Sequence, residues 1–140
     1  MAQTVFTVET SGPGLYEFTG PVASFVGKCG VEQGLLTLFV RHTSCSLLIQ
    51  ENADPDARRD LEAFFARLVP PADDTAMAWI THRGEGNDDM PAHIKAAMTP
   101  VSLSIPIAAG RLLLGAWQGI YLFEHRTHGY SRQVVAHVAN

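Results

Sequence analysis

At 140 residues the chain has the size of one compact unit with one core, so one domain over residues 1–140 is expected. Apolar residues make up 46% and charged residues 17%, which excludes intrinsic disorder. A net charge of −4 with no basic stripe argues against a general nucleic-acid binder, and no apolar run approaches the roughly 18–20 residues that span a bilayer.

The opening stretch from Met1 to Glu9 has no basic start followed by an apolar core, so no secretory signal is expected. Residues 3–9 alternate polar and apolar side chains, as a half-buried strand does. Ser11-Gly12-Pro13-Gly14 then reads as a turn into a second strand over 15–18. Pro21 suits the first turn of a helix that runs to about Lys28 and stops at Gly30. Residues 35–48 read as one long strand or two abutting ones.

Asp54-Pro55 is the clearest helix start in the chain: a capping carboxylate followed by proline at the first helical position. Ala57, Leu61, Phe64, Phe65 and Leu68 follow at helical spacing on one face, and Pro70-Pro71 ends the helix. Residues 72–90 are polar and irregular, and a connection of that length is more often functional than a short one. A short helix from Pro91 to about Met98 follows. Strands are expected over 101–107, 111–117, 119–124 and 133–138, with Ala109-Gly110 as the hairpin turn between the first two. The sum is an α+β fold, a mostly antiparallel sheet or sandwich with two or three helices.

The phosphate loop GxxxxGK[ST], the dinucleotide motif GxGxxG, the GxSxG elbow and the HExxH zinc helix are all missing. What remains is imidazole, carboxylate and amide chemistry in two segments. In Arg41-His42-Thr43-Ser44-Cys45-Ser46, a strand would turn His42, Ser44 and Ser46 to one face. A lined cavity and a half-exposed strand account for that face equally well. His42 and Cys45 would lie on opposite faces, so Cys45 reads as a buried structural thiol rather than a nucleophile. With no CxxC pair, Cys29 and Cys45 suggest no disulfide framework, which points to the cytoplasm.

The second segment runs from His82 through Arg83-Gly84-Glu85-Gly86-Asn87-Asp88-Asp89 to His93. A flexible loop carrying one histidine and a helix start carrying another could bring two imidazoles together as ligands of zinc or a related cation. Ten residues separate His82 from His93, a spacing that fits no standard zinc motif. An ordinary acidic surface loop is the competing reading. His125, His128 and His137 read as strand or turn histidines, and Arg132 could grip an anion through its planar fork.

Taken in order, Arg41-His42-Thr43-Ser44, Glu51-Asn52-Ala53-Asp54-Pro55, the run from Glu85 to Lys95 and Leu114-Gly115-Ala116-Trp117-Gln118-Gly119-Ile120 resemble the YjbQ family. That family is often labelled secondary thiamine-phosphate synthase. The ending from Glu124 to Arg132 resembles one branch of it. Ala116 departs from a position that is often threonine, and Cys45 stands where alanine is common.

The resemblance implies a homotrimer with a polar cleft where the histidine-bearing segments meet. It makes His42, His82 and His93 the metal or acid–base candidates, with Glu85 as a further catalytic group. Asn87, Gln118, Glu124, Arg132, Arg41 and Ser44 become substrate-facing candidates. The implied activity joins a pyrimidine diphosphate to a thiazole phosphate with loss of diphosphate. It would need a divalent cation, zinc or magnesium, and arginines such as Arg41, Arg83, Arg126 and Arg132 for phosphate charge. Two alternatives stand beside it: a metal-dependent hydrolase of a small phosphorylated metabolite, and a metal- or metabolite-binding trimer without turnover.

Overall fold

The computed structural model describes residues 2–140; the reading of Met1 in the opening stretch lies outside them. Two antiparallel sheets face each other. The larger has the strand order β1 (Ala2–Glu9), β8 (Ser131–Ala139), β3 (Gln33–Val40), β5 (Ser102–Ala108), β6 (Arg111–Leu112). The smaller has the order β2 (Gly14–Glu17), β7 (Gln118–Glu124), β4 (Cys45–Glu51). Among the described residues, three α-helices complete the α+β architecture: α1 (Thr19–Lys28), α2 (Pro55–Leu68) and α3 (Asp89–Met98).

The core forms where the inner faces meet. Leu36, Leu38, Ile105, Ile107, Val134 and Val138 from the large sheet pack with Leu47, Ile120 and Leu122 from the small one, and Val22 and Val26 of α1 close one end. At about 25 cal/mol per Å² of apolar surface removed from water, each such side chain contributes about 1.5–3 kcal/mol. β7 is covered on both sides. Its alternating side chains send Ile120, Leu122 and Glu124 one way and Tyr121 and Phe123 the other. The second set meets Leu61 and Phe65 of α2, which makes α2 a third layer.

The helix expected after Asp54 begins where the sequence places it. Asp54 accepts a hydrogen bond from the Asp56 backbone N–H at 2.9 Å, and Pro55 takes the first position. Its burial differs from expectation. None of its residues is buried, and Phe64 and Leu68 of the expected apolar face remain exposed. The hairpin turn also falls where expected. Ala109 and Gly110 both have positive φ, 52° and 71°, as a two-residue turn between twisted strands requires.

Two expectations are corrected. The stretch 35–48 is two strands, the second of the two readings, but they lie in different sheets, β3 and β4, joined by a corner at residues 41–44. His42, Ser44 and Ser46 therefore do not share a strand face. The strand expected over 111–117 stops at Leu112, and the chain then loops to β7. Residues 72–88 are irregular, as expected, apart from a single 3-10 turn, Thr75–Met77, beside which Val69, Ala72, Met77 and Ile80 form a small core of their own. Burying those four side chains is what gives the long connection a fixed path to α3.

Candidate metal site at the start of helix 3

α3 starts two residues earlier than the sequence suggests, at Asp89, with Pro91 inside the first turn. Proline costs nothing there, because first-turn N–H groups have no partner within the helix. The early start puts Asp89 and His93 four residues apart, on one face of the helix. His82 approaches from the preceding loop, its ring centroid 5.6 Å from that of His93.

The three side chains converge on one oxygen. His82 Nε2 lies 2.6 Å from Asp89 Oδ2, and His93 Nε2 lies 3.2 Å from the same atom. His93 Nδ1 is 2.9 Å from the Thr43 carbonyl oxygen. A carbonyl only accepts, so Nδ1 carries the hydrogen and, in the neutral ring, Nε2 offers a lone pair to the carboxylate. Two acceptors face each other, an arrangement that a shared proton or a cation resolves. One ligand atom from each of the three residues lies within 4.8 Å of the other two. Two imidazole nitrogens and a carboxylate oxygen form a donor set that zinc and related cations take, so the residues fit a metal.

Arg126 braces this cluster. Its Nη1 donates to Asp89 Oδ1 at 2.8 Å and its Nε to Asp88 Oδ2 at 2.8 Å. Asp88 Oδ2 also accepts from the Thr127 backbone N–H and hydroxyl. Burial acts to raise the pKa of both carboxyls. The hydrogen bonds and positive charge around them outweigh it, so both lie below the usual carboxylate range. Asp89 is almost fully enclosed while 47% of the His82 side chain is exposed. The cluster is thus held from inside and open on the His82 side.

His42 lies outside this cluster, and its grouping with His82 and His93 as a third metal ligand is corrected. Its Nε2 accepts the Gln133 backbone N–H at 2.9 Å, which commits that lone pair to holding the corner after β3. Burial and the nearby Arg132 charge lower its pKa. Arg132 and Glu124 are not free to face a substrate either. They form a buried pair: Arg132 Nε donates to Oε1 at 2.8 Å and Nη2 to Oε2 at 2.5 Å. Arg132 Nη2 also donates to the Ser44 hydroxyl at 3.0 Å, which spends the side chain expected to meet substrate.

Gln118 is occupied locally, its Oε1 accepting the Gly115 N–H at 2.8 Å. Asn87 and Glu85 are exposed in the loop, where their backbone carbonyls accept from Ala72 N–H and Arg126 Nη2 respectively. Arg41 is exposed. Cys45 is fully buried, and burial pushes its thiol up to about 12, so it stays protonated at neutral pH. Asp89 is the site residue that the sequence reading missed. Its four-residue spacing from His93 would have marked it, had the helix been started before Pro91.

A two-sheet α+β scaffold with an outer helical layer and a histidine–aspartate cluster at a helix start defines the class of this protein. The chain belongs to the YjbQ family: residues 4–140 match its model, described as UPF0047 protein YjbQ-like. A UPF0047 protein of Synechocystis is 50% identical over 98% of this chain and 90% of its own length. YjbQ of Salmonella typhimurium is 44% identical over 96% of this chain and 94% of its own. Among solved structures, a hypothetical protein of Aeropyrum pernix superposes with a TM-score of 0.87 at 28% identity, covering 100% of this chain and 99% of that one. A conserved hypothetical protein of Thermus thermophilus gives 0.82 at 32% identity, covering 97% and 99%. No helix among the described residues is long and apolar enough to cross a membrane.

Proposed function

We propose that this protein is an enzyme that holds a divalent cation on His82, Asp89 and His93 and hydrolyses a small phosphorylated metabolite. One observation carries the reading: the His93 Nε2 lone pair faces Asp89 Oδ2 at 3.2 Å while Nδ1 is committed to the Thr43 carbonyl. Two imidazoles favour zinc over magnesium, which prefers an all-oxygen shell. A cation bound there would act as a Lewis acid toward a phosphoryl oxygen. Arg126 and the Thr43 carbonyl fix Asp89 and His93 in orientation. His82 stands on the side of the cluster open to solvent.

Joining a pyrimidine diphosphate to a thiazole phosphate is the second reading, supported by the family resemblance. It asks more of the arginines than hydrolysis does. Arg126 is spent on Asp88 and Asp89, Arg132 on Glu124, and Arg83 on the carbonyls of Ile80, Ala72 and Met77. Of the four expected to meet phosphate, Arg41 alone has a guanidinium with no partner among the described residues. That shortage favours one phosphorylated substrate over two.

A homotrimer belongs to the same proposal. Val5, Val135 and Phe39 lie in one row across β1, β8 and β3, and Val5, Leu35 and Phe39 are exposed on the outer face of the large sheet. A short apolar row of this kind on an otherwise polar sheet face suits a subunit contact. The cytoplasm is the proposed compartment, in keeping with two free thiols, Cys29 and Cys45.

The test compares wild type with His93→Ala, purified without chelator, for metal per chain by mass spectrometry. Both are then assayed with single phosphate esters and with the pyrimidine diphosphate plus thiazole phosphate pair. Near-stoichiometric zinc in the wild type, lost in the variant, with orthophosphate released from a single substrate, is the expected result. Diphosphate released only when both rings are present would establish the joining reaction instead. No metal in either protein after soaking with zinc would sink both readings.

A further inference from the structure

α3 has a second working face. Asp89 and His93 point to the cluster described above, whereas Asp88, Pro91 and Lys95, spaced three and four residues apart, line a separate cleft of about 430 Å³. That volume lies within the roughly 300–1,000 Å³ of small-molecule sites. The cleft runs between α2 and the outer side of the small sheet. Its walls are mainly apolar: Phe65 and Val69 from the α2 side, Phe123 from β7 and Pro91 from α3. Phe65 and Phe123 meet edge to face with ring centroids 5.2 Å apart.

The charges along this lining are unequal in their commitments. Asp88 is held by Arg126 and Thr127, Glu124 by Arg132 and Thr10, and Glu62 accepts the Leu15 backbone N–H at 2.8 Å. Lys95 differs. It is half-buried, and no hydrogen bond or ion pair reaches its ammonium among the described residues. Beside it in the wall, His125 is only 3% exposed, and its Nδ1 has no partner among the described residues, although its Nε2 lies 3.0 Å from the Ser46 hydroxyl. The one carboxylate whose charge reaches Lys95 is Asp88, already hydrogen-bonded to Arg126 and Thr127, so the partly enclosed ammonium carries a desolvation cost that a further anion would offset.

We infer that this cleft binds a small organic monoanion with a flat apolar body, a carboxylate of arylacetate size, its charge on Lys95 and its body over the Phe65–Phe123 pair. A neutral apolar guest would leave Lys95 unpaired, and a free phosphate would leave the apolar walls unused. Lys95 is the one lysine or arginine of the lining, and Glu62 in the same lining has no cationic partner among the described residues, so one negative charge suits the cleft better than two. The site is independent of the proposed metal function, because its groups lie on the other face of α3.

The test uses the full chain as purified and titrates it calorimetrically with phenylacetate, its neutral isostere phenylacetamide, and inorganic phosphate. Saturable one-to-one binding of phenylacetate is expected, with the amide at least tenfold weaker and phosphate weaker still. Lys95→Met keeps the apolar stem and should weaken phenylacetate at least tenfold. Ala66→Trp, a substitution at an exposed helix position on the cleft rim, should block it and decides the matter if Lys95→Met does not fold. His93→Ala should leave the affinity within twofold. Three results would overturn the inference: no saturable binding of phenylacetate, equal binding by wild type, Lys95→Met and Ala66→Trp, or binding lost in His93→Ala, which would move the anion to the histidine cluster.

Discussion

Glu124 and Asp89 are both buried carboxylates that meet an arginine, yet the fold leaves them in opposite states. Glu124 is 0% exposed and both its oxygens are filled. Oε1 accepts from Arg132 and Thr10, and Oε2 from Arg132 and the backbone N–H groups of His125 and Arg126. Nothing is left for a ligand. Asp89 has one oxygen fixed by Arg126, while the other is shared between two imidazoles on the side open to solvent. A saturated carboxylate holds strands together. An unsaturated one, pinned by its other oxygen, keeps a lone pair in place for something else.

The strongest way to break this contrast is Glu124→Gln. It strands the Arg132 charge in the interior and should cost about 3–5 kcal/mol in urea unfolding, with zinc per chain unchanged in the fraction that remains folded. Next is Asp89→Asn. If Asp89 is a ligand, zinc affinity should fall by more than the roughly 10–100-fold that loss of a supporting partner costs, measured by competition with a chelator. An equal zinc loss in both variants would erase the distinction between the two carboxylates.

His125, the residue after the end of β7, gives a pH signature of the closed region. Burial, with the charges of Lys95 and Arg132, lowers its pKa from 6.5 to about 3. The unfolded chain therefore binds the extra proton first as pH falls. Stability contributed by the neutral ring is fully present above pH 6.5 and declines between 6.5 and about 3, by at most about 1.4 kcal/mol per unit. Denaturation curves at stepwise lower pH should show this slope, and His125→Asn should flatten it. The smallest effect is expected from His42→Ala. Losing one hydrogen bond to Gln133 should cost about 1 kcal/mol without changing zinc content. A loss of zinc in that variant would return His42 to the metal site.

The sequence was most legible where a local signal matched a local cause. Asp54-Pro55 announced α2, and Ala109-Gly110 announced the β5–β6 hairpin, because a cap and a two-residue turn are built within a few residues. His82 and His93 were legible as a pair through a loop and a helix start. Asp89 was hidden by a boundary error: starting the helix at Pro91 left it in an acidic run, one turn short of the face it shares with His93. His42 misled for a different reason. Its partner, the Gln133 N–H, lies far along the chain, and no local pattern records that contact. The commitments of Arg126 and Arg132 are equally non-local, which is why both read as free phosphate-binding groups.

Arg126 grips two consecutive carboxylates, Asp88 and Asp89, from the corner between β7 and β8. Asp88 closes the start of α3, and Asp89 is its first residue. One guanidinium thus ties a sheet corner to a helix end across two different faces of that helix. The same guanidinium touches the carboxylate of the histidine cluster and, through Asp88, a wall of the cleft behind it.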